Sequence, residues 1–229
     1  MIWIATTVII FIIFIILFIF APKSKNFYSY EVFYPKKYIF EDNINIIKKE
    51  IENLKDDDWI DYYGKDLWGN DKTNFKIFPL YMYDKYIKNN IIKCLNLFLC
   101  TNLSNVKNIF LAKLDSKTRL NEFQEIKKLA NNTLRCCIGI KMKTFGNKKV
   151  GIWVNGEIKE VELGKLLIFD SSKKHSLYNE TKESCVLLII DINRPNYIQR
   201  GESNIDIPKD YDSFVEKILH LDNSVTHES

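Results

Sequence analysis

The sequence predicts a mainly β (α+β) domain, a double-sheet jelly roll with flanking helices, behind one N-terminal transmembrane helix. Three observations predict it. From residue 106 onward, short alternating or apolar runs rich in branched side chains recur at about ten-residue spacing. Asn155-Gly156 lies between two of these runs, and both centres of that dipeptide accept the positive φ of a tight hairpin turn. Ahead of everything, residues 2–20 read IWIATTVIIFIIFIILFIF, apolar and uncharged. A helix needs about 20 such residues to cross the bilayer core.

Composition removes several classes of function. With 46% apolar and 14% aromatic residues the chain can build a core, which excludes global disorder. A net charge of +4, with no basic face interleaved with aromatics, gives no case for nucleic acid. The 33 basic residues include only the arginines 119, 135, 194 and 200. A fork-shaped guanidinium in so lysine-rich a chain marks places where a bidentate, permanently charged head is wanted. The cysteines are Cys94, Cys100, Cys136, Cys137 and Cys185. Their odd number and spacing match neither a zinc site nor a disulfide framework, so they read as buried free thiols in a reducing compartment.

Taken in order, residues 2–21 form the anchor. No basic stretch precedes the apolar run and no small-x-small cleavage site follows it, so it reads as a single-pass segment rather than a signal peptide. Lys23, Lys25, Lys36 and Lys37 follow it, and the positive-inside rule places the bulk of the chain in the cytosol. Glycosylation at the sequons of Asn102, Asn131 or Asn179 would contradict that orientation. Residues 22–42 are a polar and aromatic juxtamembrane connector. Residues 43–105 are a helical and irregular lead-in. Ile44, Ile47, Ile51 and Leu54 recur at helical spacing behind a cap at Asp42 or Asn43, and Lys-Asp-Asp-Asp at 55–58 reads as a solvated loop. Residues 59–78 read as aromatic and irregular, and 79–98 as helical or partly helical from the spacing of Tyr86, Ile87, Ile91, Cys94, Leu95 and Phe98.

Residues 106–200 make the jelly roll, with strands expected at 109–114, 133–143, 149–154, 157–163, 165–169, 175–178 and 185–192. Residues 201–229 close the chain with a helix at 211–221 and a tail whose His220 and His227 read as surface residues. The polar corner between two apolar runs, 166–169 and 186–192, carries His175, the only histidine outside the last ten residues. As a lone imidazole it reads either as a ligand or as a core residue. Strand alternation over 133–140 places Leu134, Cys136, Ile138 and Ile140 on one face, and Arg135, Cys137 and Gly139 on the other. An arginine inside a buried strand must meet an anion, either a protein carboxylate or an anionic ligand.

Several stretches carry a resemblance: T-R-L at 118–120, TLRCCIGI at 133–140, NGE at 155–157, GKLLIFDSSKKHSLYN at 164–179 and VLLIIDINRP at 186–195. In that order they resemble the aspartyl/asparaginyl β-hydroxylases, Fe(II)- and 2-oxoglutarate-dependent dioxygenases with a cupin-like double-stranded β-helix. The resemblance covers about residues 109–195, and NFKIFPLYMYDKYIKNNIIKC at 74–94 is similar to the approach segment of related proteins. It implies that His175 stands at the second iron-binding histidine and Arg135 in the cosubstrate pocket. Asp170 and Asn179 fall on the shoulders of the histidine box, and Asp191 with Arg194-Pro195 on its ending. The first iron histidine has no counterpart, and Glu122 or Glu125 is the carboxylate available to replace it. Cys137 stands where the family has a histidine beside the cosubstrate. Cys185 stands where the family has the arginine that meets the distal carboxylate of 2-oxoglutarate, a contact cysteine cannot make.

Two classes of function follow. One is a membrane-anchored dioxygenase acting on a protein side chain or a lipid chain, with Fe(II) held by His175 and a glutamate, and 2-oxoglutarate as cosubstrate. The other is a degenerate hydroxylase fold, a pseudoenzyme serving as a binding or structural module at a membrane with a protein partner. A third reading is a cupin in which Arg135 clasps some other small anion.

Overall fold

The computed structural model describes residues 24–29, 38–69, 75–101, 105–143 and 149–222. The expected membrane segment, 2–21, lies outside them. Among the described residues no helix is long and apolar enough to cross a membrane.

The strands are β1 (Phe27–Tyr28), β2 (Ile60–Asp61), β3 (Phe75–Met82), β4 (Lys85–Tyr86), β5 (Val106–Leu114), β6 (Thr118–Arg119), β7 (Thr133–Lys141), β8 (Val150–Val154), β9 (Glu157–Glu160), β10 (Leu166–Phe169), β11 (His175–Asn179) and β12 (Cys185–Asn193). The helices are α1 (Ile39–Glu52), α2 (Lys65–Trp68), α3 (Lys88–Lys93), α4 (Leu95–Cys100), α5 (Lys127–Ala130) and α6 (Tyr211–His220). All strand pairing is antiparallel. A large sheet runs β1-β10-β7-β12-β5-β3-β2, with β4 beside β3, and a second sheet runs β6-β11-β8-β9. This is the mainly β, two-sheet architecture that the strand spacing predicts.

Both faces of the large sheet are covered, which explains why its central strands read as unbroken apolar runs. Its inner face, including Ile77, Phe110, Ala112, Cys137, Leu187 and Ile189, packs on Val150, Ile152, Val154 and Leu177 of the small sheet. Its outer face, including Leu111, Leu134, Cys136, Ile138, Leu188 and Ile190, packs under Phe40, Ile47 and Ile51 of α1 and Leu97 of α4. Each such aliphatic side chain contributes roughly 1.5–3 kcal/mol when fully buried.

The lead-in departs from the sequence reading in two ways. The first helix begins at Ile39, inside the stretch read as connector, and ends at Glu52. The stretch read as helical from 79 begins instead as β3, which the proline does not interrupt because the ladder with β5 shifts register between Pro79 and Tyr81. Only Lys88–Lys93 and Leu95–Cys100 are helical there. Strands β2, β3 and β4 therefore extend the same sheet as β5.

Candidate functional site

The inward-facing positions of three neighbouring strands end in polar groups at one end of the sheet. On β12 the alternation that buries Leu187 and Ile189 inward also turns Asp191 inward. Register sets Asp191 opposite Arg135 of β7 and opposite Asn108 of β5. The guanidinium grips this carboxylate with two prongs, Nε to Oδ1 at 2.7 Å and Nη2 to Oδ2 at 3.0 Å. Asn108 Nδ2 donates to the same Oδ2 at 2.9 Å. The remaining prong, Nη1, donates to Glu125 Oε1 at 2.7 Å.

Glu125 is buried on the stretch ahead of α5 and accepts two more bonds, from Tyr63 Oη at 2.9 Å and Tyr62 Oη at 3.2 Å. Burial pushes its carboxyl up. The Arg135 charge, the neighbouring His175 and the hydrogen bonds together outweigh that and hold it below the ordinary carboxylate value. Burial and then the Glu125 charge raise both tyrosines, so both stay protonated donors. Of the two partners the sequence left open for Arg135, the fold supplies protein carboxylates.

His175 opens β11 and is completely buried. Its Nδ1 lies 2.9 Å from the Lys173 carbonyl. A carbonyl only accepts, so Nδ1 carries the proton and Nε2 presents a lone pair, which has no hydrogen-bond partner among the described residues. Burial pulls the imidazole down to about 4, against the raising effects of the Lys173 hydrogen bond and the Glu125 charge. Directly across the backbone stands Phe123, paired to His175 through N–H to O bonds of 3.0 and 2.8 Å. The imidazole lies between the rings of Phe123 and Phe169, at centroid distances of 4.4 and 5.4 Å.

The other residues proposed from sequence are placed as follows. Glu122 is exposed, whereas Glu125 is buried. Cys137 and Cys185 are buried thiols of the inner core. Burial raises both, Cys185 to about 12. Thus the fold brings together Arg135, Glu125 and His175 and leaves Glu122 outside.

A model of the family described as aspartyl/asparaginyl beta-hydroxylase matches residues 41–195. The chain belongs to that family. Among solved structures it is similar to an oxidoreductase of the 2OG-Fe(II) oxygenase family from Burkholderia pseudomallei, at 7% identity over 69% of this chain and 81% of that one, with TM-score 0.43. It is also similar to a protein from Photorhabdus luminescens, at 11% identity over 73% and 95%, TM-score 0.38. A cupin domain from Schizosaccharomyces pombe matches at 9% identity over 54% and 69%, TM-score 0.35. No curated protein matches the chain.

Active members of the aspartyl/asparaginyl β-hydroxylase family use Fe(II) and 2-oxoglutarate. The residues present here do not fit a resident iron. His175 Nε2 offers one lone pair, the rings against the imidazole (Phe123 and Phe169) offer no ligand atom, and both Glu125 oxygens are engaged. Among the described residues no group of three His, Cys, Asp or Glu side chains is arranged to hold a metal. Each Arg135 nitrogen already donates to a protein carboxylate, so its charge is met twice over within the fold.

The family's other motif residues have structural work of their own. Asp170 accepts from Arg194 Nη2 at 2.6 Å and Nη1 at 2.9 Å, and from Ser172 Oγ at 2.6 Å. This pair ties the corner after β10 to the exit of β12. Asn179 Nδ2 donates to the carbonyls of Leu114, Asp115 and Glu183 while its Oδ1 accepts from Thr181, which fixes the corner between β11 and β12. Sequence reasoning missed Tyr62, Tyr63, Asn108 and Phe123. It also passed over Asp191 as a partner, although a lone acid in phase with Leu187 and Ile189 was the available signal.

Proposed function

We propose that this hydroxylase-family chain is a membrane-tethered binding or structural module that has lost Fe(II)/2-oxoglutarate chemistry. The observation that carries the reading is that all three Arg135 nitrogens already donate to the protein carboxylates of Asp191 and Glu125, while His175 Nε2 keeps a free lone pair among the described residues. A 2-oxo acid entering here would have to displace a buried protein carboxylate. It would also lack the distal guanidinium contact, a loss of about 2–5 kcal/mol for a charged pair. The apolar segment 2–21 supports the tether. The lysines that follow it support a cytosolic domain. So do five buried free cysteines and the complete burial of Asn179, whose engaged amide is closed to glycosylation. A protein at the same membrane is the partner class this reading implies.

A second reading, a retained dioxygenase acting on a protein side chain, is favoured by one observation. The His175 tautomer, Nδ1–H held by a backbone carbonyl with the Nε2 lone pair free, is the form in which histidine ligates metals. Anaerobic Fe(II) titration of the full chain, then 2-oxoglutarate-dependent succinate formation with candidate peptides, separates the two. The module reading expects no stoichiometric iron and no succinate above a blank. Succinate formation abolished by His175→Ala would overturn it.

A further inference from the structure

The α3–α4 segment is apolar on two opposite sides. One side, Cys94 and Leu97, is fully buried against the large sheet. The exposed side carries Ile92 at the end of α3 and Leu95 and Leu99 one turn apart on α4, an apolar stripe 73%, 49% and 61% exposed that crosses the break between the two helices at Cys94. A helix apolar all round is ordinarily enclosed, and soluble surfaces rarely leave such a stripe uncovered. The stripe continues into an aromatic groove of about 350 Å³ where Tyr81, Tyr86 and Phe98 meet. Their ring centroids are 4.7 Å (Tyr81–Tyr86) and 6.0 Å (Tyr86–Phe98) apart. Lys88 and Lys93 on α3 are exposed beside it, Lys93 also pairing with Asp58.

We infer that this stripe and groove form a membrane-surface contact, lying in the headgroup region of the bilayer that holds the apolar segment 2–20. The inference rests on the anchor reading above. Aliphatic side chains flanked by tyrosines and edged by lysines suit the membrane interface. The chain itself argues for lipid over a separate protein. Residues 2–20 hold the domain beside a bilayer, so the second contact forms at the high effective concentration of a tethered site. The apolar segment also leads into β1, whose Tyr28 packs into the same outer layer as α1. Helix α1 in turn runs antiparallel to α4, with Glu50 accepting from the Asn96 and Leu97 amides and Ile39 O near Cys100 Sγ.

The test uses the full chain in phosphatidylcholine/phosphatidylserine vesicles. Leu95→Cys and Leu99→Cys variants are labelled with a bulky, water-soluble maleimide. The labelling is normalised to Ile158→Cys, on the exposed strand β9 of the other sheet. Native cysteines are all buried and give little background. Labelling at 95 and 99 at least about tenfold slower than at 158, at every protein-to-lipid ratio, is the expected result for apolar side chains lying in the interface. Equal rates would overturn the contact. Protection that fades as the chain is diluted in lipid would also overturn it, in favour of a second copy. Release of the chain by alkaline carbonate would instead defeat the anchor reading, and labelling on the same vesicles would still decide the surface contact.

Discussion

His175 is held neutral by its surroundings, and that has a consequence for stability. Its folded value of about 4 lies below the roughly 6.5 of a free imidazole. The unfolded chain therefore binds the extra proton first as pH falls. The contribution of the buried neutral ring is fully present above about pH 6.5 and is lost as pH falls toward 4. Between pH 6.5 and 5 the loss is about 2 kcal/mol. Replacing His175 with Phe, between Phe123 and Phe169, should remove this share of the acid-limb slope. Denaturation curves at pH 6.5 and 5 check it, and an unchanged slope in the variant would count against a neutral buried imidazole. At this scale the sequence was legible in part. The two faces of β7 follow from alternation, which groups Arg135 with Cys137; which of the faces turns inward comes only with the packing of the sheets. The acids that meet Arg135 were not legible, because Glu125 and Asp191 reach it from a loop and a neighbouring strand whose register no local pattern specifies.

At the scale of elements, the readable parts are those with local chemistry. Asn155 and Gly156 adopt φ of 44° and 91°, the hairpin turn their side chains favour. The misread part is β3. Its first half reads as irregular and its second half joins the helical spacing that begins at Tyr86, whereas tertiary pairing with β5 and β2 makes Phe75–Met82 one strand. Gly139 shows a constraint hidden from local reading. β7 passes so close to the turn before β10 that Gly139 O accepts from Gly164 N at 2.8 Å. A Cβ at 139 would stand 2.8 Å from the Glu162 carbonyl oxygen and 2.4 Å from Met142 Sδ. Gly139→Ala should therefore cost about 1–3 kcal/mol, as overpacking does. Urea denaturation reads this directly, and a variant as stable as the parent would show that the turn yields freely.

At the scale of the molecule, two buried ion pairs link the elements that the family motif marks. Arg135–Asp191 joins β7 to β12, with Glu125 drawn in from the loop before α5. Asp170–Arg194 joins the corner after β10 to the exit of β12. The motif thus reads as a set of fastenings for the two-sheet frame as much as a site for chemistry. Those fastenings keep the frame together whether or not the fold holds a metal. Removing one partner of such a pair leaves an uncompensated buried charge and costs about 3–5 kcal/mol.

The most direct test is the melting temperature of the full chain and of Arg135→Met, each with and without saturating Fe(II) and 2-oxoglutarate under anaerobic conditions. A fastening role predicts that Arg135→Met lowers Tm by roughly 6–20 °C, from that cost and the size of the chain, and that the additions shift neither protein. A rise in the parent's Tm on adding the pair, lost in an Arg135→Met variant that melts at the parent's own temperature, would contradict the account.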